Sequence, residues 1–292
     1  MSDGFLARLA RRSAATGTVL CLGLDPDPAA LPAGFSPDVA GIEAFSRLLI
    51  EAAGPFVAAV KPNLAFFEAF GPDGIAALER IRATLPADLP LVADAKRGDI
   101  GSTAARQAVA LFDRLGADAV TANPYLGSEA IAPLLERTDR FVYVLCRTSN
   151  PGAGELQDLV VAATPDGSAP REHLYERVAR QASGWGPGGT VGLVVGATAP
   201  DEMARIRAVA PGLAFLVPGV GAQGGDVEPV LRHGPASDPP AGAGPGGGLL
   251  VNVSRGIAQA ALAAAGTGSA DDPGERIAAA AREWAIRLPV LL

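Results

Sequence analysis

Short apolar runs alternate with longer amphipathic segments along almost the whole chain, and that alternation restricts the fold more than any other feature. Runs that read as buried strands lie at 18–24, 56–60, 91–93, 119–122, 141–146, 191–195, 214–217 and 249–253. Helical patterns follow at 38–53, 73–84, 102–115, near 128–137, near 171–183, at 200–209, from about 257 and from about 274 to 286. Ser36-Pro37-Asp38 is a helix start. Eight strand–helix units predict a (β/α)8 TIM barrel, taken as a single domain over residues 1–292. A doubly wound open sheet is the other arrangement that such alternation permits. No G-x-G-x-x-G follows the first run, which disfavours its nucleotide-binding form.

Two stretches stand outside the alternation, 150–168 and 233–248, both rich in Gly, Pro, Ser and Asp. The second, HGPASDPPAGAGPGGG, is expected to be a mobile surface loop or insertion. Composition then narrows the function. A net charge of −7 without a basic stripe excludes a nucleic-acid partner. No apolar run reaches the length of a membrane span, and the segment around Arg8, Arg11 and Arg12 lacks the apolar core of a signal peptide. Cys21 and Cys146 sit inside apolar runs and are expected to be buried, reduced thiols of a cytoplasmic protein. His173 and His233 have no partner at metal spacing, so no metal is expected.

The chemistry concentrates where the apolar runs end. Residues 91–104, LVADAKRGDIGSTA, set Asp94, Lys96 and Asp99 in the pattern D-x-K-x-x-D. Side chains two apart in a strand share a face, so Asp94 and Lys96 are expected to project together as a buried pair. Asp99 lies beyond Gly98, past the strand's end. A buried Asp–Lys pair costs desolvation that structure alone rarely needs. Other runs end in Asp25, in Lys61 with Asn63, in Thr148 with Ser149, near Gln223, and in Arg255. Barrel enzymes carry their catalytic groups at these carboxyl ends. Gly219, Gly221, Gly224 and Gly225 let backbone approach a ligand closely, and the loops after the seventh and eighth strands are a common phosphate site. Arg255 adds a planar donor fork suited to phosphate oxygens.

Several blocks, in order over about residues 18–258, resemble those of the orotidine 5′-phosphate decarboxylases, in the longer, bacterial-type branch. They are Leu22-Gly23-Leu24-Asp25-Pro26, Lys61-Pro62-Asn63, D-A-K-R-G-D-I-G-S-T, Arg147-Thr148-Ser149-Asn150-Pro151-Gly152, P-G-V-G-A-Q-G-G-D and Ser254-Arg255. The D-x-K-x-x-D pattern alone is shared with sister decarboxylases and aldolases, whereas P-G-V-G-A-Q-G-G-D is more specific. The departures fall in 233–248 and the final helix.

The resemblance implies cofactor-free loss of CO₂ from orotidine 5′-phosphate (OMP) to give UMP, in de novo pyrimidine nucleotide biosynthesis. It implies a catalytic set of Lys96, Asp94, Asp99 and Lys61, with Lys96 protonating C6 and Lys61 bridging Asp94 and the ribose. Asp25 and Asn63 would bind ribose hydroxyls, Ser149 the pyrimidine edge, and Gln223 and Arg255, with backbone at Gly219 and Ser254, the phosphate. Thr148 and Pro218 complete the substrate-binding set. Ile100 and Thr103 also belong to that set, and the resemblance further implies a homodimer in which Asp99 and Thr103 reach the neighbouring site. Two other readings remain open. A metal-dependent sugar-phosphate decarboxylase or aldolase would need a carboxylate ligand set, and Lys61 stands where such enzymes tend to place an acid. A non-catalytic nucleotide-binding protein would need only the phosphate grip, which leaves Asp94, Lys96 and Asp99 unexplained.

Overall fold

The computed structural model describes residues 3–162, 171–221, 223–262 and 272–291. Its first five strands are β1 (Leu20–Leu24), β2 (Ala59–Pro62), β3 (Val92–Arg97), β4 (Ala119–Ala122) and β5 (Phe141–Arg147). A short antiparallel pair follows, β6 (Val160–Ala162) with β7 (Arg171–His173). Then come β8 (Val191–Val195), β9 (Ala214–Val217) and β10 (Leu250–Val253). The large sheet is parallel throughout and runs β2-β1-β10-β9-β8-β5-β4-β3. Bridges Val60–Leu91 and Asn63–Asp94 join its two ends, so the sheet closes into an eight-stranded barrel and the open-sheet alternative falls away.

The period of two along each strand explains why the runs read as continuously apolar. Cys21, Ala59, Val92, Ala119, Phe141, Tyr143, Val194, Ala214, Leu216 and Leu250 form the cluster inside the barrel. Residues of opposite parity, such as Leu20, Leu22, Val120, Val142, Val144, Leu193 and Val251, pack outward against the helices. Both faces are buried, as in parallel sheets generally. Toward the carboxyl ends of β1 to β4 and β10 the inward positions turn polar, at Asp25, Lys61, Asp94, Thr121 and Asn252, and that end holds the site.

The amino end of the barrel is closed by α1 (Phe5–Thr16), which the sequence reading leaves unassigned. Phe5 stacks on Phe141 at 5.1 Å between ring centres and meets Tyr143 edge-on at 6.0 Å. Arg8 anchors the helix to the buried Asp118 carboxylate at 2.5 Å.

The expectation for 233–248 is corrected. A helix, Val227–His233, precedes it, and the segment packs onto the barrel rather than standing free. Ala236 and Ala243 are buried, and Gly242 and Gly248 lie against Ala7 and Leu6 of α1. Arg207, buried over the Phe215 ring, gathers the carbonyls of Ala210, Pro211, Leu213, His233 and Gly234. Burial pulls its pKa down to about 9. In the other set-aside stretch, residues 151–155 form a 3-10 turn and 160–162 form β6, while 163–168 lie outside the described residues. The expected helix near 128–137 is instead one 3-10 turn, Glu129–Ile131, and a single α-turn, Ala132–Leu135, with Pro133 in its first positions. The helix expected at 102–115 is α-helical over Gly101–Ala108 and then widens into a π-helix over Val109–Arg114.

Candidate active site

Asp94 stands at the carboxyl end of β3 and collects three donors. Lys61 Nζ lies 2.6 Å from Oδ2, Lys96 Nζ 2.6 Å from Oδ1, and the Thr121 hydroxyl donates to Oδ1 at 3.0 Å. The two lysines differ in burial: the Lys61 side chain is 5% exposed and that of Lys96 49%. The buried lysine–carboxylate pair is therefore Lys61–Asp94, and Lys96 sits at the rim. This corrects the expected burial of Asp94 with Lys96.

Strand alternation does not carry Lys96 to Asp94 either. Lys96 is the only non-glycine among the described residues with positive φ, at +50°, and β3 slips its register against β4 between Ala93 and Arg97. Thr121 holds the distortion. Its oxygen accepts the N–H groups of Ala95 and Lys96, at 3.0 and 2.9 Å, while its proton goes to Asp94. Left-handed backbone at a lysine is costly and persists only where the surroundings impose it, commonly at functional sites.

The charges reinforce one another. Burial opposes ionisation of Asp94, but Lys61 and then Lys96 outweigh it and hold the carboxyl well below its usual range. Burial likewise opposes the Lys61 charge, and Asp94, followed by Asp25, more than offsets it and raises its pKa. Asp94 and Lys61 thus stand as an ion pair at the cleft floor, ionised near neutral pH.

Asp25, Lys61, Asn63 and Asp94 line this cleft together with Pro218, Gly219, Gln223, Ser254 and Arg255. Ser254 donates to Asp25 Oδ2 at 2.5 Å, leaving Asp25 Oδ1 buried without a partner. A buried acceptor lacking a donor is suited to a ligand hydroxyl. In the loop after β9, the Gly225 N–H bonds back to Gly219 O at 3.0 Å. Gly219 has φ +98°, and a β-carbon there would come within 2.9 Å of Gln223 Oε1 and 3.1 Å of Ser149 Cβ. Glycine is the residue that fits. The Ser149 hydroxyl donates to Gln223 Oε1 at 2.9 Å, which ties the loop after β5 to the loop after β9. Ala222, within the same motif, lies outside the described residues.

Six predicted site residues do not line the cleft itself: Lys96 reaches it only through Asp94 and Ser149 only through Gln223, and Thr148, Asp99, Ile100 and Thr103 stand apart. Thr148 is buried against Gln157, whose side chain accepts the Thr148 N–H at 2.8 Å and donates to its hydroxyl at 3.1 Å. The Asp99 carboxylate accepts the Ile100 N–H at 2.7 Å; Ile100 is 64% exposed, and Thr103 lies half-buried in the following helix. Three residues went unpredicted: Thr121, Gln157 and Asn252, the last lining the cleft with Oδ1 buried and unpartnered. Thr121 and Asn252 were detectable as the single polar positions in the runs A-V-T-A and L-V-N-V. Gln157 sits in the stretch set aside for its glycine and proline. Among the described residues no group of three or more His, Cys, Asp or Glu side chains could hold a metal ion.

A closed parallel barrel with a charged cluster and glycine-rich loops at the carboxyl ends of its strands has the layout of a (β/α)8-barrel enzyme. Residues 18–267 match the model of the orotidine 5′-phosphate decarboxylase / HUMPS family, and the chain belongs to that family. It is 47% identical over 270 residues to the orotidine 5′-phosphate decarboxylase of Roseiflexus castenholzii, covering 92% of this chain and 90% of that one. It is 42% identical over 293 residues to that of Verminephrobacter eiseniae, covering 99% and 97%. It superposes on the Leishmania donovani OMP decarboxylase structure with a TM-score of 0.78 at 41% identity, covering 97% of each chain.

Proposed function

We propose that this chain, read as one barrel domain over 1–292, decarboxylates OMP to UMP and CO₂ without a metal or organic cofactor. The observation that carries this reading is the Lys61–Asp94–Lys96 array opening onto a cleft bounded by the loops of Gly219, Gln223 and Arg255. Relatives named for this activity match over nearly their full length.

In the reaction the C6–carboxylate bond breaks and its electron pair stays on C6. The Lys96 ammonium stabilises that charge and transfers a proton to C6. Asp94 holds Lys96 aimed, and Lys61 neutralises Asp94 from below while reaching the ribose. The free Asp25 Oδ1, with Asn63, accepts ribose hydroxyl protons. Ser149 meets the pyrimidine edge. Gln223, Arg255 and the backbone at Gly219 and Ser254 grip the phosphate, so that binding energy far from C6 aligns the reacting carbon.

Asp99 and Thr103 serve the site of a second copy, and Ile100 contacts substrate beside them. Ile100, Tyr125 and Leu126, on the loops after β3 and β4, are 64, 75 and 60% exposed, an apolar group that a symmetric homodimer would cover. A cytoplasmic location agrees with this pathway, and among the described residues no helix is long and apolar enough to cross a membrane.

The direct test is a spectrophotometric OMP assay with and without EDTA. Turnover unaffected by chelation is expected. Activity abolished by EDTA and restored by Mg²⁺ would overturn the cofactor-free reading, and tight UMP binding without turnover would favour a binding protein.

A further inference from the structure

The C-terminal helix, Pro273–Arg287, follows the part of the chain that matches the family model, which ends at residue 267. Ile277, Ala281, Trp284 and Leu288 form its buried face, at the spacing of one helical stripe. Beyond its last turn the chain is fixed to the start of β1. Leu288 O accepts the Thr18 hydroxyl at 2.6 Å and the Val19 N–H at 3.0 Å, and the Val290 N–H donates to Gly17 O at 3.1 Å.

Trp284 makes contacts that core packing alone does not call for. Its six-membered ring lies against Gly221, in the loop after β9, where a β-carbon would sit 3.0 Å from Cη2 and 3.1 Å from Cζ2. Its five-membered ring lies against Gly256, immediately after Arg255, where a β-carbon would sit 2.9 Å from Nε1 and 3.2 Å from Cε2. The Arg287 guanidinium covers the indole at 4.1 Å from the ring centre. One rigid side chain thus touches both loops that carry the cleft's anion-binding groups, two residues before Gln223 and one after Arg255. Side-chain-free positions at 221 and 256 are what allow the approach.

We propose that Trp284 is a positioning residue for the phosphate grip, bracing the loops after β9 and β10 against each other at the spacing a phosphate monoester requires. The proposal rests on the functional reading above only in taking that loop pair as the phosphate site. The approaches of Trp284 to Gly221 and Gly256 both fall on the phosphate-side loops, so its effect is expected on ligands that carry the phosphate. Displacing a group that aligns a substrate by about 1 Å costs up to about a hundredfold.

Trp284→Ala and Trp284→Phe are compared with wild type in calorimetric titrations of UMP and uridine, and in turnover of OMP and of orotidine, which lacks the phosphate. Thermal melts report the fold. The expected result for Trp284→Ala is a loss of about ten- to a hundredfold in UMP affinity and in OMP kcat/KM, by the same alignment argument. Uridine binding and orotidine turnover stay at the wild-type level, and Trp284→Phe recovers most of the loss. If Trp284→Ala does not fold, Gly256→Ala replaces it, because the added methyl disturbs the same contact from the loop side, with the same phosphate-selective loss expected. Unchanged UMP and OMP values would overturn the proposal, and so would equal losses for the ligands with and without phosphate. A wild-type protein that prefers UMP to uridine but does not turn over OMP would overturn the decarboxylase reading alone, and the UMP titrations would still decide the role of Trp284.

Discussion

The Lys61 ammonium lies 2.6 Å from Asp94 Oδ2 with both side chains almost wholly withdrawn from solvent, at 5 and 11% exposure. Breaking such a pair by removing one partner costs about 3–5 kcal/mol, because the other charge stays buried. Lys61→Ala is therefore expected to lower stability on that scale. Lys96→Ala, which removes a half-exposed partner, should cost no more than about 1 kcal/mol of stability. Its effect falls on turnover, by at least about 10²–10⁴-fold through loss of the proton donor. Denaturant unfolding of both variants beside an OMP assay separates the two roles, and equal stability losses would contradict them.

The Asp99 carboxylate accepts the Ile100 N–H and does not line its own cleft, and the homodimer reading gives it to the partner's. A hybrid of one Lys96→Ala chain and one Asp99→Ala chain then holds one intact site and one doubly altered site. Mixing the two inactive homodimers should restore up to about half the wild-type sites per hybrid, under closed twofold symmetry. A verified hybrid that stays inactive would refute the shared site.

Arg255→Ala should weaken UMP binding by roughly 1.5–3 kcal/mol, the value of a charge-assisted hydrogen bond, while leaving uridine binding unchanged. Calorimetry with the two ligands tests this. Equal weakening of both would place Arg255 outside the phosphate grip.

Thr121 both holds the left-handed turn at Lys96 and donates to Asp94. Thr121→Val takes the acceptor from the N–H groups of Ala95 and Lys96 and one of two donors from Asp94 Oδ1, at a cost of about 1–3 kcal/mol per N–H left unsatisfied. Lower stability and lower kcat are expected together, and Thr121→Ser should restore both. Wild-type kcat in Thr121→Val would remove Thr121 from the positioning of Lys96.

The pH dependence follows from the directions of the two shifts. Asp94 titrates below its ordinary value of 3.8 in the folded chain, so its contribution to stability is complete above that value and lost as pH falls through the folded one. Lys61 titrates above 10.5, so its contribution is complete below 10.5 and lost as pH rises through its folded value. The stability difference between wild type and Asp94→Asn should stay constant from about pH 5 to 9 and shrink at lower pH. A difference that changes across neutrality would contradict the ion pair.

Much of this molecule is legible in its residue order because the relevant patterns are local. Apolar runs with a period of two inside and outside the barrel marked its eight strands, and their polar ends marked Asp25, Lys61, Asn63, Asp94, Gln223 and Arg255. What escaped notice was short or masked by composition. The sequence FLARLARRSAAT buries only Phe5, Leu6 and Leu9 as large apolar side chains, with Ser13, among its arginines. The helix Val227–His233 runs directly into a glycine- and proline-rich stretch.

Residue order alone set the eight barrel strands in sequence and most of the polar groups at one end, since pleat and helix periods depend on neighbours in the chain, whereas the β6–β7 pair went unforeseen. Only the tertiary structure decided that the sheet closes and that the buried partner of Asp94 is Lys61. It alone decided that Lys96 arrives through a left-handed backbone held by Thr121, and that Trp284 reaches Gly221 and Gly256. Each of these is a contact across the barrel or from its far end, where distance is set by closure and packing, and no local spacing in the chain encodes it.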